Sequence, residues 1–200
     1  PSALRALWRQ EGPDALAPYV PAGALPRYQA ARPAGDDTDP QAVSLAVLSR
    51  LRARADMGGF AGVRGAAEGL EHRLDSCVRQ AVTLEGLCDA LTTVRYPRAR
   101  MRRLAMDAAL GYGSPGAGPG WLTLPALPPY LHLLAARREA MPLLAAASLP
   151  VSPSLARLAR ENDACARTAR AQAAASDLAA LCRRTPQPMG TAYTVPFTKL

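Results

Sequence analysis

Short amphipathic helices separated by proline and glycine are the main pattern of the chain. Between residues 40 and 110, apolar side chains recur every three or four positions, which is typical of helices with one buried face. The first of these helices follows Asp39 and Pro40, a carboxylate and a proline in the order that favours a helix start. We predict helices over 40–55, from about 66 to 79, 83–91 and 97–110. Together they predict a compact helical bundle.

The rest of the chain is more broken. Residues 111–120 (GYGSPGAGPG) hold five glycines and two prolines and predict a linker. Beyond them, residues 130–134 fit either a short strand or the start of a helix. Helices are predicted over 137–147, 155–171 and 177–183. The expected fold class is therefore mainly α: a helical bundle followed by a smaller segment that is helical or, alternatively, α+β.

The composition supports this class and adds an excess of positive charge. Aromatic residues make up only 5% of the chain, whereas the helix formers alanine, leucine and arginine are abundant. The 24 basic residues exceed the 16 acidic ones by eight, and all but Lys199 are arginine. This balance favours an acidic partner, a nucleic acid before a membrane, because no long apolar run is present. A GC-rich genome would also favour arginine, so a local cluster is stronger evidence than the total charge.

Such a cluster lies at the start of the last predicted bundle helix. Five arginines fall within nine residues around Tyr96, namely Arg95, Arg98, Arg100, Arg102 and Arg103. Cations at a helix N-terminus are unfavourable by about 0.3–1 kcal/mol each, so helix stability does not explain them. A docked polyanion would, because arginine binds phosphate through paired hydrogen bonds and tyrosine stacks on a base or ribose. The alternative is a solvated basic face in which Arg103 pairs with Asp107 at i,i+4.

The residues show no recognisable catalytic or metal-binding motif. His72 and His132 have no neighbours that mark a catalytic triad, and the chain contains neither a Walker loop nor a GxGxxG sequence. The four cysteines lack the paired spacing of a zinc site, and Cys77 and Cys88 are expected to be buried thiols. No signal peptide or membrane span is evident, so we expect a cytoplasmic protein without a membrane partner. Taken alone, the residues predict a basic helical domain that binds RNA or DNA.

Several stretches resemble a known family. Residues 68–74 (EGLEHRL) resemble the EGLE(N/H)R(L/I) signature of the bacterial tRNA(Met) cytidine acetate ligases. Farther along, residues 93–104 (TVRYPRARMRRL) resemble the TKRYTRxRxxRxL stretch of that family, in the same order and at the same spacing. Residues 129–150 resemble a later family segment more weakly, and residues 2–5 (SALR) are similar to the end of its SATxIR stretch.

The resemblance implies a helical part of a ligase that uses ATP and acetate. Members of the family activate acetate with ATP and then acetylate the wobble cytidine of elongator tRNA(Met). Their ATP-binding domain is N-terminal and carries an HxGH motif, which this chain does not contain. The resemblance therefore implies that the chain is the C-terminal, tRNA-holding region and that ATP is bound mainly by a missing N-terminal domain. Whether the chain is an enzyme by itself is left open, as is its oligomeric state.

The resemblance also assigns site residues. Arg95, Tyr96, Arg98, Arg100 and Arg103 retain the residue types of the family motif, and with Arg102 and Arg73 they form the set expected to contact tRNA. Tyr96 would stack on a base or support the turn. Val94 stands where the family has lysine, which removes one cation. Arg5 matches the terminal arginine of the SATxIR stretch, which implies a phosphate contact with the ATP cofactor.

These assignments divide the chain into four parts. We expect connecting helices from the missing nucleotidyltransferase domain over 1–38, the bundle with its basic tRNA-binding helix over 39–110, a Gly/Pro-rich linker over 111–128 and a small C-terminal segment over 129–200. A second hypothesis is a non-catalytic scaffold, in which the basic helix packs on acidic residues of the missing domain and never touches RNA.

Overall fold

The computed structural model describes residues 2–66 and 69–199 and confirms a mainly α fold. Glu68, the first residue of the EGLEHRL stretch, lies outside the described residues. The α-helices are α1 (Ser2–Glu11), α2 (Leu25–Ala34), α3 (Pro40–Asp56), α4 (Leu70–Gln80), α5 (Leu84–Leu91), α6 (Arg98–Leu110), α7 (Met141–Ala145), α8 (Leu155–Leu158), α9 (Asp163–Leu181) and α10 (Thr191–Thr194). The strands are β1 (Tyr112–Gly113), β2 (Leu122–Thr123), β3 (Leu131–His132), β4 (Ala135–Ala136), β5 (Val151–Ser152) and β6 (Thr198–Lys199). Residues Asp14–Tyr19 and Arg138–Ala140 form 3₁₀ helices.

Polar side chains cap the two helix starts that the sequence indicates most clearly. At the start of α3, Asp39 Oδ1 accepts a hydrogen bond of 2.9 Å from the backbone N–H of Gln41. At the start of α5, Thr83 Oγ1 accepts one of 3.0 Å from the N–H of Gly86. Both predicted starts are confirmed. Helix α6 begins at Arg98 without a side-chain cap, one residue later than predicted.

The main core lies among helices α3 to α6. Helix α3 packs against α4, α5 and α6, and α5 packs against α6. The largest fully buried side chains of this core are Val47, Leu51, Val63, Leu70, Leu74, Val78, Leu87, Cys88, Leu91 and Met101. From α6, Met101, Leu104, Ala105 and Ala108 are buried, which confirms the predicted apolar face of that helix. The opposite face of α6 is therefore turned to solvent.

A second, smaller core lies in the C-terminal part of the chain. Tyr130 and Leu158 pack there with Cys165 and Ala169 of α9. The same helix reaches the main core through Leu178. The long helix α9 thus links the two cores. The division of the chain into four parts stays a prediction.

The glycine- and proline-rich stretch after α6 packs against the bundle. Strand β1 pairs in parallel with β2, with Tyr112 opposite Leu122. Trp121 lies on the main core, and Gly113 lies directly beneath it. A Cβ atom added at Gly113 would lie 2.6 Å from the Cβ atom of Trp121, so glycine is required at this close approach.

The helix predicted over 155–171 is in fact two helices. Helix α8 ends at Leu158, and α9 begins at Asp163. Between them, Asn162 has an extended backbone and its Oδ1 accepts a hydrogen bond of 2.9 Å from the N–H of Cys165. This capping bond stabilises a new helix start and ends the continuous pattern.

Three other C-terminal predictions are refined by the structure. The helix predicted over 177–183 is the last part of α9 rather than a separate helix. Residues 137–147 contain a 3₁₀ helix and the short α7 instead of one long helix. The sequence leaves open whether residues 130–134 form a short strand or the start of a helix. The structure has a strand there, because Leu131 in β3 pairs in parallel with Val151 in β5.

Helix α3 offers a matched test of the main core. Leu51→Ala should lower the free energy of unfolding by about 2–5 kcal/mol, because it removes a fully buried side chain and leaves a cavity. Leu45→Ala on the same helix should change it by about 0.5 kcal/mol or less, since Leu45 is 69% exposed. Urea unfolding followed by circular dichroism measures both, and equal losses would contradict the packing described.

Candidate nucleic-acid interface

Helix α6 concentrates positive charge at its N-terminal end. The carbonyl of Pro97 accepts hydrogen bonds from the N–H groups of Arg100 (2.9 Å) and Met101 (3.2 Å), which closes the first turn. The first turn contains no acidic residue to offset the positive end of the helix dipole. The arginines therefore add charge where the helix itself is already positive.

A tight turn places Arg95 and Tyr96 beside this helix start. Thr92 Oγ1 donates a hydrogen bond of 2.7 Å to the carbonyl of Cys88 at the end of α5. The backbone N–H and carbonyl groups of Thr93 and Tyr96 then bond to each other in both directions, each at 3.1 Å. This turn fixes the RYPR residues at the junction of α5 and α6.

Tyr96 lies between the turn and the core. Its side chain is half-buried and packs against the main core. The guanidinium groups of Arg95 and Arg100 lie 5.7 and 5.0 Å from the centre of its ring, within the range of cation–π attraction. These contacts are those of a residue that supports the turn. Stacking of Tyr96 on a base stays a prediction.

Arg98 is engaged by acidic side chains of the preceding helix. Its guanidinium forms ion pairs with Glu85 and, at 2.6 Å, with Asp89. The two carboxylates are four residues apart and so share one face of α5. This i,i+4 spacing is the sequence signal for a pairing that we did not predict. The charge of Arg98 is partly offset within the bundle as a result.

The alternative pairing of Asp107 with Arg103 is wrong. Asp107 instead accepts two hydrogen bonds from Arg64, of 2.9 Å from Nε and 2.8 Å from Nη2. These bonds raise the pKa of the Arg64 guanidinium, which also lies 5.1 Å from the ring centre of Tyr112. Arg102 and Arg103 are exposed, and neither has an ion-pair partner in the described part of the chain.

The remaining predicted site residues lie in two different places. Arg73 on α4 is exposed and donates a hydrogen bond of 2.7 Å to the carbonyl of Ala90 near the end of α5. It therefore lies close to the junction that carries the basic turn. Arg5 is exposed on α1, which contacts the Asp14–Tyr19 helix. The described contacts of α1 place Arg5 with the N-terminal helices.

The cysteines and His132, which are candidate groups in the sequence, lie in defined surroundings. Cys88 is buried as predicted, which raises the pKa of its thiol, whereas Cys77 is only partly buried. His132 Nδ1 lies 2.9 Å from the amide of Gln172. Across residues 2–66 and 69–199, no group of three or more His, Cys, Asp or Glu side chains is arranged to hold a metal ion. Over the same residues, each helix is too short or too polar to cross a bilayer.

Comparison with known proteins identifies the family. The family model described as HIGH Nucleotidyl Transferase matches residues 1–191. The chain belongs to this family. No curated protein matches the sequence significantly.

Two solved structures share the fold of this chain. Both are of Thermotoga maritima TmcAL, one bound with alpha-thio ATP (TM-score 0.81, 17% identity) and one apo (TM-score 0.79, 18% identity). Each likeness covers 100% of this chain but only 51% and 50% of the respective TmcAL chains. The chain therefore spans about half the length of the structures it matches, and the likeness shows the fold.

A double-mutant cycle can test the pairing of Asp107 with Arg64. The coupling free energy between Arg64→Ala and Asp107→Ala should be about 0.5–1 kcal/mol, because the pair is doubly hydrogen-bonded but Arg64 is partly exposed. The matched cycle of Arg103→Ala with Asp107→Ala should show no coupling. Urea unfolding of the single and double variants gives both values. If Asp107 coupled more strongly to Arg103 than to Arg64, the pairing described here would be contradicted and the i,i+4 pair supported.

Proposed function

We propose that this chain holds tRNA for an ATP-dependent tRNA(Met) cytidine acetate ligase, which forms N-acetylcytidine at the wobble position. The observation that carries the proposal is the exposed arginine face of α6, which lies opposite a fully buried apolar face. In this proposal Arg102 and Arg103 bind phosphates of elongator tRNA(Met), and Arg98 and Arg100 add to the same surface.

Phosphate binding accounts for charges that folding does not require. Arg102 and Arg103 lie in the second turn of α6, are exposed and have no ion-pair partner among the described residues, so no ion pair within the bundle requires their charge. Phosphates supply the opposite charge, and each guanidinium binds one through two hydrogen bonds. The net charge of +8 adds a longer-range attraction for a polyanion.

Two neighbouring arginines extend this surface. Arg95 is exposed in the turn that precedes α6, and Arg73 is exposed on α4. Arg73 bonds the Ala90 carbonyl through Nη2, and its guanidinium has further N–H groups for a phosphate. An RNA that follows α6 from its N-terminus would therefore meet cations from α4, the turn and α6.

The family and the fold likeness support the chemistry proposed for the whole enzyme. One of the similar Thermotoga maritima TmcAL structures is bound with alpha-thio ATP. We infer that the enzyme containing this chain uses ATP and acetate, with ATP bound mainly outside these 200 residues. The sequence has no HxGH motif, which supports placing adenylation elsewhere. Arg5 is the proposed contact from this chain to a phosphate of ATP.

The double variant Arg102→Gln/Arg103→Gln should weaken tRNA binding and reduce its dependence on salt. Each lost phosphate contact lowers the log–log slope by about 0.7–0.9, so the variant should lose about 1.4–1.8. Arg9→Gln/Arg27→Gln is the matched control, since it removes two exposed arginines from α1 and α2. Fluorescence anisotropy of labelled tRNA(Met) at several salt concentrations measures the slopes. An unchanged slope for the α6 variant, or an equal loss in the control, would refute the proposal.

A scaffold role is the second candidate function. In it, α6 pairs with acidic residues of another part of the enzyme and does not touch RNA. The observation that favours this role is that Arg98 already takes protein carboxylates, Glu85 and Asp89 of α5, as its ion-pair partners. The two roles predict different effects on tRNA binding when Arg98 is freed from these ion pairs.

Glu85→Gln/Asp89→Asn separates the two candidate functions, because it releases Arg98 while preserving side-chain size. For an RNA interface, tRNA binding should tighten, and the slope should steepen by up to about 0.9 as Arg98 gains a phosphate. For a scaffold, tRNA affinity and slope should stay at the level of the unaltered protein. Glu11→Gln/Glu139→Gln is the matched control, since both carboxylates are exposed on elements other than α5 and α6.

A further inference from the structure

A shallow cleft, largely open to solvent, lies where residues 121–125 meet Arg167 of helix α9. Its volume is about 350 Å³, within the range of roughly 300–1,000 Å³ typical of small-molecule sites. The lining residues are Trp121, Leu122, Thr123, Leu124, Pro125 and Arg167. The lining thus combines an aromatic ring, an apolar wall and one cation, and includes no carboxylate.

Trp121 is held in place before any ligand binds. The guanidinium of Arg54 lies 3.9 Å from the centre of the indole ring, and its Nη2 donates a hydrogen bond of 3.1 Å to the carbonyl of Gly120. Trp121 also packs on the main core, and the close approach at Gly113 fixes its Cβ. Because the Arg54 guanidinium covers one face of the ring, a planar ligand would meet the other face or the edge of an indole that is already fixed, which limits the conformational freedom lost on binding.

The strand beside Trp121 offers hydrogen-bonding groups. Among the described strands, β2 pairs with β1 alone, and the N–H of Leu122 donates to the carbonyl of Gly111 at 2.7 Å. Successive residues of a strand direct their backbone groups to opposite sides, so the N–H and carbonyl of Thr123 point away from β1. One donor and one acceptor therefore lie along the open edge of β2.

Arg167 brings an unbalanced positive charge to the cleft. It is exposed on α9 and has no ion-pair partner within residues 2–66 and 69–199. A guanidinium beside an aromatic ring binds a ligand that carries both an anion and a planar group. Backbone donors and acceptors at the same place suit a ring with polar edges. A nucleotide combines an anionic phosphate, a planar base and polar groups along the edge of that base.

We propose that this cleft binds a nucleotide, with its base against Trp121 and Pro125 and its phosphate on Arg167. The nucleotide is either a free nucleoside monophosphate or an unpaired nucleotide of RNA, and the recognised chemistry is the same in both cases. In the second case the inference rests on the proposed tRNA-binding function and gives the RNA a second contact, at the other end of α6.

Tryptophan fluorescence reports on the cleft directly. The chain has two tryptophans, so Trp8→Phe leaves Trp121 as the sole reporter. Titration with AMP, CMP, a single-stranded oligoribonucleotide or tRNA should quench Trp121 in at least one case. Arg167→Gln in the same background should weaken that binding by about tenfold or more, because a charge-assisted bond is lost. Arg170→Gln, on the same helix but outside the cleft lining, should leave it unchanged.

The titrations distinguish the two sources of the nucleotide. Quenching by AMP or CMP indicates a free nucleotide, and quenching by RNA alone indicates an unpaired nucleotide of RNA. No quenching by any of the four, or equal quenching in Arg167→Gln, would overturn the proposal. If Trp8→Phe does not fold, calorimetric titration of the unaltered protein, Arg167→Gln and Arg170→Gln with the same four probes gives the same comparison. The salt dependence of tRNA binding through α6 is measured separately, so a failure here is distinguishable from a failure of the proposed function.

Discussion

Burial of the apolar face of α6 determines where its arginines lie. Met101, Leu104, Ala105 and Ala108 fix the rotation of this helix against α3 and α5. Any other rotation would expose these side chains and place guanidinium groups in the core, where each buried unpaired charge costs several kcal/mol. Arg102 and Arg103 are therefore held at the surface by the packing on the far side of the helix.

The same packing makes the arginines of this surface unequal. Arg98 faces α5 and meets two carboxylates there, and Arg100 lies over the ring of Tyr96. Arg102 and Arg103 are exposed away from these partners. A count of arginines in the sequence therefore overstates the charge that a phosphate would meet, since part of it is already balanced within the bundle. The C-terminal part of the cluster carries most of the unbalanced charge.

Local features of this fold were predictable from the sequence, and long-range ones were not. The cap at Asp39, the cap at Thr83 and the buried face of α6 depend on residues a few positions apart, so periodicity and capping rules located them. The Arg64–Asp107 pair joins residues 43 positions apart, and an i,i+4 rule directed Asp107 to the wrong arginine. Likewise, Gly113, one of the glycines from which a linker is predicted, is required by the close approach of Trp121, which is visible only after folding.

Helix α6 connects the basic surface and the Trp121 cleft in one rigid unit. The arginines lie toward its N-terminal half, and its C-terminus leads through Gly111 directly into β1, whose partner strand β2 lines the cleft. Thirteen helical residues span about 20 Å. A free nucleotide would occupy the cleft alone, whereas an RNA long enough to follow α6 would reach both places. Because the helix fixes their separation, binding at one place would raise the effective concentration of the same RNA at the other. Two individually weak contacts would then suffice for specific placement of an RNA on this chain.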